Sequence, residues 1–141
     1  MNSCDEYKRA DFDTFLDESD IISIHAPLND ATRRLFSDYA FDRMKNNAYL
    51  INMGRGPIVD EKALITALNE EKIAGAALDV LEMEPMRRDS VLLEYKDSNR
   101  LLITPHIAWA TVEARARLMH DVCLNIESFM KGIDRNVINR G

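Results

Sequence analysis

The sequence predicts an α/β fold, a parallel sheet with flanking helices, and three observations carry that reading. Short β-branched runs alternate with helical segments, the connections between them are short and polar, and each apolar run ends in a conspicuous polar residue. A strand followed by a long helical crossover returns to the sheet parallel to its predecessor.

The elements follow in order. "DIISIHAP" (20–27) is β-branched and stopped by Pro27, the pattern of a strand buried on both faces. The turn "LNDATRR" leads to "SDYAFDRMK", where Ser37 is placed to cap a short helix. "NAYLINMG" (47–54) is the second strand. Asp60 then caps "EKALITALNEEK", whose Ala63, Leu64, Ala67 and Leu68 share one helical face. "AGAALDVLEMEP" (74–85) opens with small residues that let a strand pack closely, and "RLLITPHIAW" (100–109) is an apolar strand broken by Pro105. The last helix, residues 111–131, carries Ala114, Leu118, Val122, Ile126 and Phe129 as a stripe and ends at Gly132.

Composition narrows the class. With 141 residues, 46% hydrophobic and 30% charged, the chain is long enough for one globular domain with a core. Its net charge of −6, with no cluster of basic residues among aromatics, argues against nucleic acid. Arg87 and Arg88 read as a solvated loop. Cys4 and Cys123 lack metal or redox spacing and read as reduced thiols, which favours a cytoplasmic setting. The start is not a basic segment followed by an apolar core, and no run approaches eighteen apolar residues, so neither a secretion signal nor a membrane partner is indicated. The three histidines are too dispersed for a metal site, and no serine sits in a nucleophile elbow.

The strand ends hold the chemistry. In a parallel sheet they share one edge, where ligands of open α/β folds bind. His25, Arg55, the acids between 79 and 84, and His106 all fall there. Arg55 stands between two glycines in "LINMGRGPIVDEKAL", and its planar fork fits a carboxylate in two parallel hydrogen bonds. His106 exchanges protons near neutral pH, and a carboxylate such as Glu84 beside it favours its charged form. Taken singly, each has a plain alternative: a loop arginine, a polar strand-end histidine, an exposed loop acid. Together they suit a small 2-keto or 2-hydroxy acid. His25 reads as structural, and His120, within the last helix, has no assigned role.

"SIHAPLNDAT", "MKNNAYLINMGRGPIVDEKAL", "IAGAALDVLEMEP" and "LLITPHIAWATVEARARL" together resemble the D-isomer-specific 2-hydroxyacid dehydrogenases, in their glycerate dehydrogenase or hydroxypyruvate reductase branch. The resemblance implies that Arg55 binds the substrate carboxylate, His106 is the general acid/base and Glu84 is its partner. It implies NAD or NADP as cofactor, with His25, Ala26, Pro27 and Thr32 near the adenosine and phosphate side. Met53, Gly54 and Arg55 would lie along the nicotinamide half, Asp79 at the carboxamide, and His106 and Ala108 close to the nicotinamide.

The departures shape the expectation. The five glycines form no G-x-G-x-x-G turn, and no ribose acid follows one. The resemblance therefore implies, across residues 1–141, the second half of a Rossmann-like dinucleotide-binding domain, without the glycine-rich half or a substrate domain. The loop "EPMRRDSVLLEY" lacks the prolines and small residues of relatives. An oxidoreductase fragment, largely inactive as the isolated chain, is the leading expectation. A cofactor-sensing regulatory module of the same fold, or an inactive remnant, is the alternative. The first strand would be an open edge, so a homo-oligomer is expected.

Overall fold

Four short strands pair in sequence order, each parallel to the next. In the computed structural model, which describes residues 9–138, these are β1 (Ile21–Ile24), β2 (Tyr49–Asn52), β3 (Gly75–Leu78) and β4 (Leu101–Ile103). The helices are α1 (Phe12–Glu18), α2 (Asp38–Arg43), α3 (Glu61–Asn69) and α4 (Val112–Met130), with 3-10 turns at Gly56–Ile58 and Val91–Glu94. The expected alternation and sheet are present. Cys4 lies outside the described residues.

Residues of one strand point alternately to the two sheet faces. Ile22, Ile24, Leu50, Ala76 and Leu78 form one core with Leu16 of α1, Phe41 of α2 and Leu64 and Leu68 of α3. The three helices therefore cover a single face. β1 is accordingly buried on one face only, contrary to the expectation from its apolar run: Ile21 is 64% exposed, and Leu102 of β4, on the same open face, is 60% exposed. A short β-branched sequence reads alike in either setting.

Capping is legible in part. Asp60 accepts hydrogen bonds from the Lys62 and Ala63 amides and starts α3, whose Ala63, Leu64, Ala67 and Leu68 are buried as their spacing requires. Ser37 occupies the cap position of α2 but makes no side-chain bond there. Asp11 caps α1 through the Thr14 amide.

The described residues divide into two compact units, one through His106 and one from Ile107. In the second, Thr111 caps α4 and Gly132 takes a left-handed φ of 67° just beyond its end. None of its residues is buried, so its apolar stripe contributes nothing to a core of its own. Among the described residues no helix is long and apolar enough to cross a membrane.

The strand register builds the functional edge. Ile24, Asn52, Leu78 and Ile103 are successive cross-strand partners, so the chain leaves all four strands at one level. Two glycines then bring three loops into contact. A Cβ on Gly54 would lie 2.9 Å from the Ala26 carbonyl oxygen, and one on Gly56 would lie 1.9 Å from the Leu81 carbonyl. Backbone approaches backbone at distances that exclude any side chain. Gly56→Ala is expected to destabilise the chain by roughly 1–3 kcal/mol in urea unfolding, the range for overpacking. A loss under about 0.5 kcal/mol, typical of an unconstrained surface position, would contradict this packing.

Candidate active site

Arg55 projects from a turn that a buried amide holds in place. Asn52, fully buried at the end of β2, donates from Nδ2 to the Arg55 carbonyl at 3.1 Å and accepts from the Gly54 amide at 3.0 Å. Both ends of the side chain are satisfied, as a buried polar group requires. The Arg55 side chain is exposed, and its Nη1 donates to the Gly54 carbonyl at 2.7 Å. The 3-10 turn at Gly56–Ile58 follows at once.

The neighbouring strand ends are tied to this turn. The Asp79 amide donates to the Asn52 carbonyl at 3.0 Å, and the Asp79 carboxylate accepts from the Thr104 hydroxyl. His106 leaves β4 with a φ of 54° and donates its amide to the Thr104 carbonyl at 3.0 Å. A left-handed conformation costs an L-residue about 1–3 kcal/mol and persists where surrounding contacts determine it. Here the side chain supplies such a contact: Nδ1 of His106 meets Oε2 of Glu84 at 2.7 Å, while Oε1 of Glu84 accepts from the Leu81 amide at 2.9 Å.

The histidine hydrogen bond is the main reason the Glu84 carboxyl titrates below the usual range; the Leu81 amide adds to it, and the Arg55 charge contributes less. Glu84 is therefore a carboxylate at neutral pH. It engages the ring at Nδ1 and so holds one of its two nitrogens.

Two openings flank these groups. One, of about 430 Å³, is lined by Asp79, Glu84, Ile103, Thr104 and His106 among others. The other, of about 520 Å³, is lined by His25, Ala26, Pro27, Met53, Gly54 and Arg55. The sequence-selected residues thus fall on one sheet edge within the first unit. Three stand apart. Thr32 does not line the second opening; its hydroxyl donates to the Pro27 carbonyl at 2.7 Å and shapes the loop. His25 bonds Ser23 Oγ through Nε2 at 2.8 Å while lining the groove. Ala108 lies in the second unit, exposed, as do His120 and Cys123.

Asn52 and Thr104 carry positioning roles that the sequence reading did not assign. Asn52 had a signal, a polar residue at a core-facing register in "YLIN"; Thr104 had none. Among the described residues no group of three side chains is arranged to hold a metal.

The groove has apolar walls at Ala26, Pro27, Leu28 and Met53 that suit a flat ring of a nicotinamide cofactor, while Asp79 lines the other opening. These groups share the strand-end edge of a parallel sheet, the place where ligands of open α/β folds bind. The model for the D-isomer specific 2-hydroxyacid dehydrogenase, NAD binding domain, matches residues 2–108, and the chain belongs to this family.

Named relatives agree. The chain is 46% identical over 122 residues to a glyoxylate reductase of Thermofilum pendens, covering 86% of this chain and 35% of that protein. It is 40% identical over 130 residues to a hydroxypyruvate reductase of Blautia hydrogenotrophica, covering 92% of this chain and 39% of that protein. The solved structure of an acyclic imino acid reductase in complex with NADPH and D-Arg superposes with a TM-score of 0.82 at 35% identity, covering 92% of this chain and 40% of that one. The chain thus spans well under half the length of each.

The titration of Glu84 has a measurable sign. Because folding lowers its proton affinity, the unfolded chain binds the proton first as pH falls, and stability rises with pH across that window. The contribution is present above the ordinary carboxyl value of about 4.3 and is lost as pH drops through the lower folded value. Glu84→Gln is expected to be less stable than wild type near pH 6 in urea unfolding, with the difference shrinking as pH falls below the ordinary carboxyl range. An undiminished difference at the lower pH would contradict the pairing.

Proposed function

We propose that this chain supplies the proton-handling and carboxylate-binding part of an NAD(P)-dependent oxidoreductase acting on a small 2-keto or 2-hydroxy acid, with hydroxypyruvate and glycerate as the substrate pair. The observation that carries the reading is the 2.7 Å Glu84–His106 contact on the same sheet edge as Arg55.

The residues divide the work. Arg55 holds the substrate carboxylate in its fork, which fixes the adjacent keto carbon. In its protonated form, His106, held by Glu84, hydrogen bonds the keto oxygen through Nε2 and gives it the proton as negative charge develops there. When bound, the reduced nicotinamide supplies the hydride to that carbon. The products are the 2-hydroxy acid, the oxidised nicotinamide and neutral His106, and in the reverse direction His106 removes the hydroxyl proton as the hydride returns to the oxidised nicotinamide. Glu84 stabilises the charged ring in both directions.

On this reading Met53, Gly54 and Arg55 line the nicotinamide half of NAD or NADP, with Asp79 at the carboxamide, and His25, Ala26, Pro27 and Thr32 lie on the adenosine and phosphate side. These 141 residues contain no glycine-rich pyrophosphate turn, so the second half of a dinucleotide-binding domain is the part they supply, and little turnover is expected from them alone. We include a homo-oligomer in the proposal, because β1 pairs on one side only and exposes Ile21.

The roles separate kinetically in an enzyme completed by a glycine-rich half. Arg55→Ala is expected to raise KM for hydroxypyruvate more than it lowers kcat, whereas His106→Ala is expected to lower kcat by about 10²–10⁴-fold. Small and equal effects from both substitutions would refute the assignment.

A further inference from the structure

We infer that Glu61 is a positioning residue that sets the Glu84–His106 pair by holding the loop between them and β3. Its Oε1 accepts the Glu82 amide at 2.7 Å across 21 residues of sequence. The neighbouring Leu81 amide is bound by Glu84 itself. Two consecutive amides of one loop are thus claimed, one by the acid that engages His106 and one by Glu61.

The placement of Glu61 calls for an explanation that helix capping does not provide. Asp60 already accepts the Lys62 and Ala63 amides, so the start of α3 is satisfied without it. An acid in a first helical turn is ordinarily solvated, yet Glu61 is only 9% exposed. Burial is the leading cause of a carboxyl proton affinity raised above the usual glutamate value, with the Glu82 amide acting in the opposite direction. An acid buried against that cost needs the bond it makes.

The loop has little else to hold it. Residues 82–89 are all exposed, and an opening of about 570 Å³ lined by Glu61, Leu81, Glu82, Met83 and Met86 among others lies beside it. Packing at Leu81 against Gly56 fixes one point. Arg34 adds a loose bracket, 3.6 Å from both Asp60 and Glu82. Glu61 supplies the second close contact, and it belongs to the segment that begins at Arg55. The carboxylate fork and the acid/base pair are therefore set by one short stretch of chain.

The catalytic meaning of this role rests on the dehydrogenase reading, but the geometry is testable without it. In the labelled 141-residue chain, Glu61→Ala is expected to speed hydrogen exchange of the Glu82 amide by about tenfold, the equivalent of one hydrogen bond. It is also expected to move the His106 Nδ1 resonance away from its carboxylate-bonded position. Glu61→Gln, which keeps the accepting oxygen, is expected to restore both signals. If the alanine variant does not fold, Glu61→Asp replaces it, since the acceptor is then withdrawn while the charge stays. An unmoved His106 resonance in a folded variant, or a glutamine variant that behaves like alanine, would overturn the inference. Neither readout involves cofactor or substrate, so they can fail while carboxylate binding at Arg55 succeeds, and the reverse.

Discussion

The contact between the Gly56 and Leu81 backbones is the constraint on which the site depends. A Cβ at position 56 would sit 1.9 Å from the Leu81 carbonyl, so the loop carrying Arg55 and the loop carrying Glu84 meet without side chains between them. Parallel pairing brings the strand ends to one level, and this contact decides how they lie there. Asn52 braces the first loop from below with two amide bonds, and the Asp79–Thr104 bond spans the next two strand ends. Polar groups at a sheet edge thereby become a fixed constellation.

Electrostatics then assign the roles. Glu84 is kept ionised by the histidine it contacts, with help from a backbone amide, and its two oxygens are divided between them. That division fixes the carboxylate plane and, through Nδ1, the plane of the imidazole. The exposed Arg55 donates from Nη1 to the Gly54 carbonyl of its own turn, one of the five donors that a guanidinium carries. A carboxylate ligand and a proton acceptor on its neighbouring carbon match this arrangement.

Much of this was legible in the sequence because it rests on short patterns. The alternation of apolar runs and helical stripes specified the sheet, and Asp60 announced α3 through capping chemistry. Gly54 and Gly56 marked a close approach, although only the structure shows that their neighbours are Ala26 and Leu81. What stayed hidden depends on contacts far apart in sequence. Glu61 reads as an ordinary first-turn acid until Glu82 is placed beside it, and Thr104 reads as a strand-end residue until Asp79 is. The open face of β1 was hidden for a related reason: an apolar run does not reveal how many of its faces find a partner. Helix α4 shows the same limit, since its stripe is sound by periodicity yet none of its residues is buried.

We propose that one edge of this sheet holds a nicotinamide ring and a small keto acid side by side. Calorimetric titration of the chain with reduced nicotinamide mononucleotide, with and without oxamate, tests it directly, because that ligand carries only the half of the cofactor assigned to the Met53–Arg55 turn and Asp79. Saturable binding that tightens when oxamate is present, with the gain abolished in Arg55→Ala, is the expected result. Equal affinity with and without saturating oxamate would mean that the two half-sites do not meet, and would contradict the account.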